Sequence, residues 1–345
     1  MLQFHFMERN IYARHHRLSG NTFPGSLFQS GIEEYVLRNR TEGDYLILWQ
    51  NDRTIVVGQN QNTEAEINRS FVEQHGLRVV RRMTGGGAVY HDLGNLNYSF
   101  ITDAGDAEKL SIETFTRPVV KALADLGLQA EASGRNDILV NGRKVSGTAQ
   151  RLAGGRILHH GTLLFDSDME MVSGALRVDP SKFQSKSAKS VRSRVVNIRS
   201  ALQEDMDLPA FWNYLKTALA GSGFCQTQLS AEELEAVETL CREKYATWEW
   251  NFGRSPKFDL TNKARFPGGG LEVGLHVENG RITDIAFFGD FLAVSPLDDL
   301  KEALRGCVFR RAEVQAVLEG FPMRELFGGI TEAEVLDTIF YAGDA

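Results

Sequence analysis

A glycine-rich stretch flanked by charge is the part of this sequence best suited to hold an anionic ligand. Residues 81–87 combine two arginines, Arg81 and Arg82, with Thr84 and three consecutive glycines. Because glycine has no Cβ, such a segment can take positive φ and lie close to a ligand. Its backbone N–H groups can then donate to an anion, while the arginines add fixed positive charge. The stretch predicts a cradle for a phosphate or an acyl phosphate.

The spacing of these glycines narrows the class of site. It fits neither Gly-x-Gly-x-x-Gly nor Gly-x-x-x-x-Gly-Lys-Ser/Thr, so the Rossmann and P-loop nucleotide sites are excluded. For the three glycines alone, a tight turn between strands is the alternative. The adjoining arginines and threonine favour a ligand site.

A second group of reactive side chains is divided across a predicted hairpin. Asn141-Gly142 separates two strand-like segments, 137–140 and 143–146, and this dipeptide suits a type I′ turn, which needs positive φ at both positions. Pairing of the two strands brings Asn136 and Asp137 close to Lys144. Lysine is a compact charge that can serve a carboxylate and a phosphate together, although a solvated hairpin lysine is the simpler alternative.

The next strand carries adjacent histidines, His159 and His160, between Arg151 and Thr162. Neighbouring side chains on a strand point to opposite faces, so at most one imidazole can face a given site. A metal site made by this pair is therefore not expected.

Composition bounds the remaining possibilities. The chain has 345 residues, 42% of them hydrophobic and 24% charged, with a formal net charge of −7, which argues against broad nucleic-acid binding. Three cysteines without metal-type spacing indicate reduced thiols rather than disulfides. The sequence shows neither a signal peptide nor a run of roughly 20 apolar residues, so we expect a cytoplasmic protein with no membrane contact.

Periodicity predicts the elements that carry these residues. Helices are expected at 26–39, 69–75, 112–126, 168–176, 208–219 and 231–245, and further strands at 45–49, 54–57, 77–82, 96–101 and 157–165. Asn51-Asp52-Arg53 predicts a hairpin between the strands at 45–49 and 54–57. Because no regular β-α-β rhythm is present, the sequence favours an α+β fold with a mixed sheet over a doubly wound one. The polar, basic segment 181–199 predicts an exposed loop.

A boundary is expected near residues 247–257, where Gly253 and Pro256 interrupt the pattern. Beyond it lie a second hairpin signal, Asn279-Gly280, and a helix start of the capping-box type at Thr331. The sequence thus predicts a first domain over 1–247 and a smaller α+β domain over 248–345.

Taken together, the motifs closely resemble the lipoate–protein ligases. The resemblance runs in order from about residue 26 to residue 197 and rests on four segments, residues 82–95, 134–137, 144–151 and 159–164. A fifth segment, 190–195, resembles part of that family's adenylate-binding loop. The resemblance assigns Arg192, within this segment, and Lys186, just before it, to the loop. The smaller C-terminal unit is similar to the family's accessory domain. One departure is Thr84, where serine is usual and the hydroxyl is kept.

The resemblance implies a mixed-sheet catalytic domain of the biotin/lipoate ligase type. It implies activation of lipoate, and also octanoate, by ATP and Mg²⁺ to the acyl adenylate, followed by transfer to a lysine of a lipoyl domain. The implied partners are the apo lipoyl domains of the E2 subunits of 2-oxoacid dehydrogenases and the H protein of glycine cleavage.

The resemblance also implies roles for particular residues. Lys144 would be catalytic, contacting the carboxylate and the α-phosphate, and Asn136 and Asp137 would hold nucleotide, Asp137 also the metal. Arg151 and His160 would border the acyl tail. The remaining residues that would bind lipoyl-AMP are Arg82, Thr84, Gly85, Gly86, Gly87, Ala88, Ser146, Gly147, Ala149 and Thr162.

Alternatives remain open. An ATP-independent octanoyl or lipoyl transferase of the same superfamily would need an activated cysteine, and Cys225, Cys241 and Cys307 all follow residue 220, outside the motifs. Biotin ligation is disfavoured because the characteristic glycine–arginine loop is absent. A non-catalytic acyl-binding module is the third alternative, although Lys144 and Asp137 are both retained.

Overall fold

The computed structural model describes residues 4–7, 25–105, 111–177, 195–221, 224–253, 258 and 260–340. Its strands are β1 (Phe4–Met7), β2 (Asp44–Trp49), β3 (Thr54–Val57), β4 (Arg78–Arg81), β5 (Val89–His91), β6 (Asn95–Asp103), β7 (Ala130–Ser133), β8 (Asp137–Val140), β9 (Arg143–Ala153), β10 (Arg156–Leu164), β11 (Cys225–Thr227), β12 (Leu260–Phe266), β13 (Gly269–Glu278) and β14 (Arg281–Gly289). Its helices are α1 (Gly25–Asn39), α2 (Thr63–Glu66), α3 (Arg69–His75), α4 (Ile112–Asp125), α5 (Met169–Ala175), α6 (Leu208–Ala220), α7 (Ala231–Leu240), α8 (Trp248–Asn251), α9 (Asp298–Leu304), α10 (Arg311–Leu318), α11 (Met323–Phe327) and α12 (Glu332–Phe340).

The main sheet is mixed. Within the described ranges its strand order is β11-β1-β2-β6-β10-β9-β8-β7. β1 runs parallel to both β11 and β2, whereas the remaining neighbours are antiparallel. The predicted α+β fold with a mixed sheet is therefore confirmed.

Helices cover both faces of this sheet. α1 and α7 pack on one face, where Ile32 and Val237 join Ile47 and Leu158 in a buried cluster. α4 and α6 pack on the other face, around Phe100, Phe115, Leu123, Phe165 and Phe211. A sheet covered on both faces offers a rigid platform for side chains placed along its strands.

A second sheet, of order β4-β3-β5, carries the glycine stretch between β4 and β5. The predicted hairpin between the strands at 45–49 and 54–57 is wrong, because β2 pairs with β1 and β6 while β3 pairs with β4 and β5. The connecting residues pass the chain from one sheet to the other. Only Arg53 among them has positive φ, at 47°, whereas a type I′ turn needs two such residues.

Local signals set both ends of α3. Asn68 caps α3, its side chain accepting from the Phe71 N–H, and Gly76 ends this helix with φ 58°. The helix predicted over 231–245 is α-helical only to Leu240, and residues Cys241–Tyr245 continue it as a π-turn. In the part of the chain described, no helix is long and apolar enough to cross a membrane.

The C-terminal unit has a core of its own. β12, β13 and β14 form an antiparallel sheet, and Leu271, Phe287, Val314, Phe327 and Ile339 pack between it and α9–α12. Asn279 and Gly280 have φ of 51° and 73°, as a type I′ turn requires. The hairpin predicted there is confirmed.

The C-terminal unit contacts the first unit through main-chain hydrogen bonds from segment 289–294. The Gly289 N–H donates to the Asn60 carbonyl at 2.8 Å, and the Gly86 N–H donates to the Phe291 carbonyl at 3.1 Å. The Leu152 N–H donates to the Val294 carbonyl at 2.7 Å. The boundary placed after residue 247 stays a prediction, and α8, just beyond it, contacts β4 of the first unit.

Candidate active site

A narrow pocket of about 120 Å³ crosses one face of the main sheet. Its lining includes Trp49 on β2, Asn97 on β6, His160 and Thr162 on β10, and Lys144 on β9. These strands are consecutive in the sheet, so Lys144 and Trp49 lie three strand spacings apart, about 14 Å across the sheet. The pocket is therefore a slot with a Lys144 end and a Trp49 end.

The Lys144 end is built on the predicted β8–β9 hairpin. Asn141 and Gly142 have φ of 51° and 71°, which confirms the type I′ turn. Across it, the Lys144 Nζ and the Asp137 Oδ1 form an ion pair at 2.7 Å. Both side chains are about one-third exposed, 37% and 34%, so a ligand can reach them.

A β-bulge directs Lys144 into the pocket. Asp137 pairs with Gly147 and Leu139 pairs with Lys144, so β9 has one residue more than β8 over this stretch. In a regular strand Lys144 and Gly147, three residues apart, would face opposite sides of the sheet. The extra residue puts them on the same face. Gly147 leaves room for the ion pair, because a Cβ there would lie 3.1 Å from the Lys144 Nζ.

Asn136 and Thr162 hold the backbone beside this ion pair. The Asn136 Nδ2 donates to the Thr148 carbonyl at 2.6 Å, and the Thr148 N–H donates to the Asn136 carbonyl at 2.9 Å. The Gly147 N–H donates to the Thr162 Oγ1 at 3.2 Å. Asn136 and Thr162 both line the pocket, so the side chains that border the ligand space also fix its wall.

The glycine stretch divides between the pocket and the C-terminal unit. Gly87 and Ala88 line the pocket. Gly86, with φ 86°, donates its N–H to the Phe291 carbonyl. A Cβ on Gly85 would lie 2.7 Å from that same carbonyl oxygen. The structure thus places Gly85 and Gly86 against the C-terminal unit. The backbone of that unit comes so close that position 85 has no room for a Cβ.

Arg82 borders the pocket and fixes the glycine stretch. Its guanidinium donates to the Gly85 and Gly87 carbonyls, at 2.6 and 2.8 Å, and to the Thr84 Oγ1 at 3.0 Å. Burial lowers its pKa to about 10, so it is charged at neutral pH. The expected positive charge beside the pocket is present, and most of its donors serve the loop.

Arg81 does not lie at the pocket. Its buried guanidinium donates to the carbonyls of Gly58, Gln59 and Gln61 and to that of Asn251 on α8. The expectation that both arginines face the ligand is thus wrong for Arg81, because consecutive strand residues point to opposite sides. This arginine instead organises the 58–61 loop.

A chain of buried polar side chains runs behind the pocket. The Trp49 Nε1 donates to the Ser99 Oγ at 2.8 Å, and the Ser99 hydroxyl donates to the Glu33 Oε1 at 2.5 Å. Glu33 also contacts the His160 Nδ1 at 2.9 Å, and the His160 Nε2 contacts the Thr84 Oγ1 at 2.8 Å. Thr84 is fully buried, so it reaches the pocket through His160.

The two histidines face opposite sides of the sheet, as predicted. His160 lines the pocket, whereas His159 stacks on Phe115 on the α4 side, with ring centroids 4.8 Å apart. Burial, with a smaller contribution from His160, holds the pKa of His159 well below its ordinary value. His159 is a core residue.

The other predicted site residues lie at different distances from the pocket. Ala149 lines it, whereas Arg151 lies further along β9 and donates to the Gln59 Oε1 at 2.7 Å. Ser146 pairs with Ile138, whose side chain belongs to the core on the α4 side. Lys186 and Arg192 lie outside the described residues.

Sequence reasoning missed about half of the residues that line the pocket, among them the polar residues Glu33, Asn51 and His91. Glu33 could have been noticed as a carboxylate within the apolar periodicity of a helix, where charge is seldom buried without a partner. Its neighbour Glu34 is likewise buried and contacts Lys244 and Tyr245, each at 2.6 Å. Asn51 and His91 could not be found in this way, because they contact each other only once residues 40 positions apart are brought together by folding.

No described cysteine lines the pocket. Cys225 is exposed on β11, Cys307 lies in the C-terminal unit, and Cys241 is buried below α1, where burial raises its pKa to about 12. A thiol nucleophile needs a lowered pKa and access to the substrate. The described cysteines do not provide this combination.

Known proteins place this arrangement in context. Residues 26–220 match the family described as lipoyl protein ligase A/B catalytic domain, and residues 255–339 match the bacterial lipoate protein ligase C-terminus. The lipoate-protein ligase LplJ of Bacillus subtilis is 44% identical over 90% of this chain and 95% of its own. Lipoate–protein ligase 1 of Staphylococcus aureus is 39% identical over 92% of this chain and 98% of its own.

Solved structures agree in fold. P. falciparum LipL1, crystallised with lipoate, is similar over 97% of both chains at a TM-score of 0.72 and 23% identity. A bipartite lipoate protein ligase of Thermoplasma acidophilum, studied with its E2 lipoyl domain, has a TM-score of 0.62 at 28% identity over 75% of this chain and 100% of its own. Lipoate-protein ligase A bound with ATP has a TM-score of 0.58 at 26% identity over 73% of this chain and 97% of its own. With both of its parts matched and close relatives aligned over nearly their whole length, the chain belongs to the lipoate–protein ligase family.

Proposed function

We propose that this protein activates lipoate with ATP to lipoyl-AMP and transfers the lipoyl group to a lysine of an apo lipoyl domain. The observation that carries the proposal is the position of Lys144, a cation at one end of a slot that crosses the sheet. The slot accommodates an acyl tail with its carboxylate at Lys144. The catalytic domain is taken as residues 1–247 and the accessory domain as 248–345.

In the first step a carboxylate oxygen of lipoate attacks the α-phosphorus of ATP, and pyrophosphate leaves. Negative charge grows on the oxygens of the α-phosphate. The Lys144 ammonium is positioned to stabilise this charge, and its pairing with Asp137 keeps it at the mouth of the pocket. No protein nucleophile takes part.

Asp137 is suited to help hold Mg²⁺. Magnesium commonly binds one or two carboxylates together with substrate phosphates, keeping several waters. Among the described residues no group of three or more histidine, cysteine or acidic side chains is arranged to hold a metal ion, so a metal delivered on ATP fits this carboxylate better than a resident ion. Bound there, Mg²⁺ would neutralise phosphate charge.

In the second step the neutral amine of the acceptor lysine attacks the acyl carbon of the mixed anhydride. The acyl–oxygen bond breaks, AMP leaves, and the nitrogen releases one proton to solvent as the amide forms. This step requires positioning more than activation. We propose the lipoyl domains of 2-oxoacid dehydrogenase E2 subunits and the glycine cleavage H protein as acceptors. The E2 lipoyl domain studied with the Thermoplasma ligase supports the first class.

Mass spectrometry of an apo lipoyl domain tests the proposal. The domain is incubated with this protein and lipoate, octanoate or biotin, each with and without MgATP. We expect the lipoyl and octanoyl mass shifts only with MgATP, accompanied by pyrophosphate release, and no shift with biotin.

A cysteine-free variant, Cys225→Ser, Cys241→Ala and Cys307→Ser, serves as the control and should retain transfer, because no described cysteine lines the pocket. Transfer from an octanoyl carrier without nucleotide, lost in this variant, would establish the thioester transferase instead. Tight lipoate binding without transfer or pyrophosphate release would establish a binding module.

A further inference from the structure

His91 brings an unpaired donor to the Trp49 end of the slot. It is 2% exposed, lines the pocket and lies edge-on to the Trp49 indole, with ring centroids 5.8 Å apart. Its Nε2 has no hydrogen-bond partner in the described structure. A buried polar atom without a partner costs free energy, and unlike the unpaired nitrogens of the core residue His159 this one lies beside the ligand space.

Asn51 contacts the other imidazole nitrogen of His91. The Asn51 Nδ2 is 3.2 Å from the His91 Nδ1, and an amide nitrogen can only donate. When Asn51 donates from this nitrogen, the Nδ1 is the acceptor and a neutral ring carries its proton on Nε2. The ring is neutral because burial, together with the charges of Arg82 and His160, lowers the pKa of His91 to about 3. In that tautomer the unpaired atom is an N–H donor.

The position of this donor determines what it can bind. The carboxylate of the acid is placed at Lys144, three strands away, so the Trp49 end receives the far end of the acyl chain. At that end octanoate carries a methyl group, whereas lipoate carries a dithiolane ring. Sulfur is a weak acceptor and also makes favourable contacts with aromatic edges.

We propose that His91, with its tautomer fixed by Asn51, is a specificity-determining residue that donates its Nε2–H to a sulfur of the dithiolane and so favours lipoate over octanoate. This inference rests on the proposed function and concerns its choice between two acids. A methyl terminus would leave the N–H buried and unpaired. Sites that hydrogen-bond a substrate discriminate against analogues that lack the partner.

Two amide substitutions at His91 distinguish the effect of losing the N–H donor from the effect of losing the imidazole ring. In His91→Gln the side-chain amide can present an N–H at the place of Nε2. In His91→Asn the shorter amide reaches only the place of Nδ1. The measurement is kcat/KM for MgATP-dependent pyrophosphate release with lipoate and with octanoate, together with the Kd of each acid measured by calorimetry without nucleotide.

We expect His91→Asn to lower the lipoate-to-octanoate ratio of kcat/KM by about 3- to 10-fold, the range for one lost hydrogen bond to a neutral acceptor. His91→Gln should restore most of the ratio. Equal losses for both acids in both variants would show a structural role and overturn the inference, as would an unchanged ratio. Wild-type protein that binds lipoate yet releases no pyrophosphate would refute the proposed function instead.

The imidazole tautomer gives an independent test. In ¹⁵N-histidine spectra, with His91 assigned by its absence from the His91→Gln variant, the Nε2–H form is expected, and lipoate should shift the Nε2 resonance more than octanoate does. Observation of the Nδ1–H form would overturn the inference. His75, bonded to the Phe71 carbonyl on α3 outside the pocket, is the internal control and should not respond.

Discussion

Lys144 owes its position to a carboxylate on the neighbouring strand and to a missing methyl group on its own. Asp137 attracts its ammonium, and Gly147 leaves the space that the lysine stem crosses. The exposure of the ion pair limits its worth for stability, since pairs open to solvent contribute little. The ion pair serves instead to hold the Lys144 ammonium at the pocket.

Replacing this lysine should therefore remove activity and leave the fold intact. We expect Lys144→Ala to lower the rate of adenylate formation by about 10²- to 10³-fold, the loss typical of one stabilising donor. The measurement is pyrophosphate release with lipoate and MgATP, alongside a thermal melt. Arg143→Ala, which removes the adjacent, exposed cation, is the matched control and should stay close to wild type. A folded Lys144→Ala variant with a near-normal rate would contradict the assigned role.

Short-range spacing predicted the residues of the Lys144 end. Asn141-Gly142 fixes the register that joins Asp137 and Lys144, and strand alternation separates His159 from His160. Glu33 and Ser99 could not be found in this way, because they meet His160 and Trp49 only after α1 packs on the sheet. Partners of that kind depend on tertiary contacts.

At the scale of the element, the bulge in β9 decides which face of the sheet carries the chemistry. Without the extra residue Lys144 would point into the core beneath α4, where a lysine would be costly to bury. The hairpin was predictable from Asn141-Gly142, whereas the bulge was not, since no sequence signal marks it.

Adding one methyl group next to the bulge should misplace the lysine. In Gly147→Ala the new Cβ lies 3.1 Å from the Lys144 Nζ, and the flexible lysine end gives way more easily than the backbone. We expect the kcat of adenylation to fall by up to about 10²-fold, since small displacements of a reacting group can have such effects. The melting temperature should remain close to that of wild type. A large fall in melting temperature with unchanged kcat would contradict this view of Gly147.

The turn signals in the sequence differ in how well they predict hairpins. The two Asn-Gly signals predicted hairpins correctly, whereas the signal at 51–53 did not. Asn141-Gly142 and Asn279-Gly280 determine their turns locally because both residues take positive φ. The 51–53 segment has polar residues but only one positive φ, and the pairing of β3 with β4 and β5 decides its course. The course of the chain through residues 51–53 is therefore determined by tertiary pairing in the second sheet.

At the scale of the whole molecule, two neutral buried histidines link stability to pH. The pKa of His91 is lowered to about 3 by burial, with smaller contributions from Arg82 and His160, and burial also lowers the pKa of His159. The unfolded chain binds a proton at each near pH 6.5, so below that value it holds more protons than the folded chain. Stability is thus fully present above pH 6.5 and is lost as the pH falls.

Urea unfolding at pH 7, 6 and 5 should reveal this linkage. Each histidine should contribute roughly 1.4 kcal/mol per pH unit to the loss of unfolding free energy below pH 6. His159→Phe, which keeps an aromatic ring beside Phe115, should reduce the slope by about one histidine's share. A slope unaffected by this substitution would contradict the neutral state of His159.

The contact between the two units through segment 289–294 limits which changes in sequence this protein can tolerate. Three of its hydrogen bonds, at Asn60, Gly86 and Leu152, join backbone atoms to segment 289–294, so these bonds do not depend on side-chain identity. These bonds do require a fixed register of the segment against the first unit. A shift by one residue would exchange the positions of its N–H and carbonyl groups, so the hydrogen bonds could not form. Side chains at this joint are still constrained where Phe291 and Ala293 pack in the C-terminal core, and where a Cβ on Gly85 would lie 2.7 Å from the Phe291 carbonyl oxygen. We expect other positions of the segment to tolerate substitution, whereas a single insertion or deletion within it should break the hydrogen bonds between the two units.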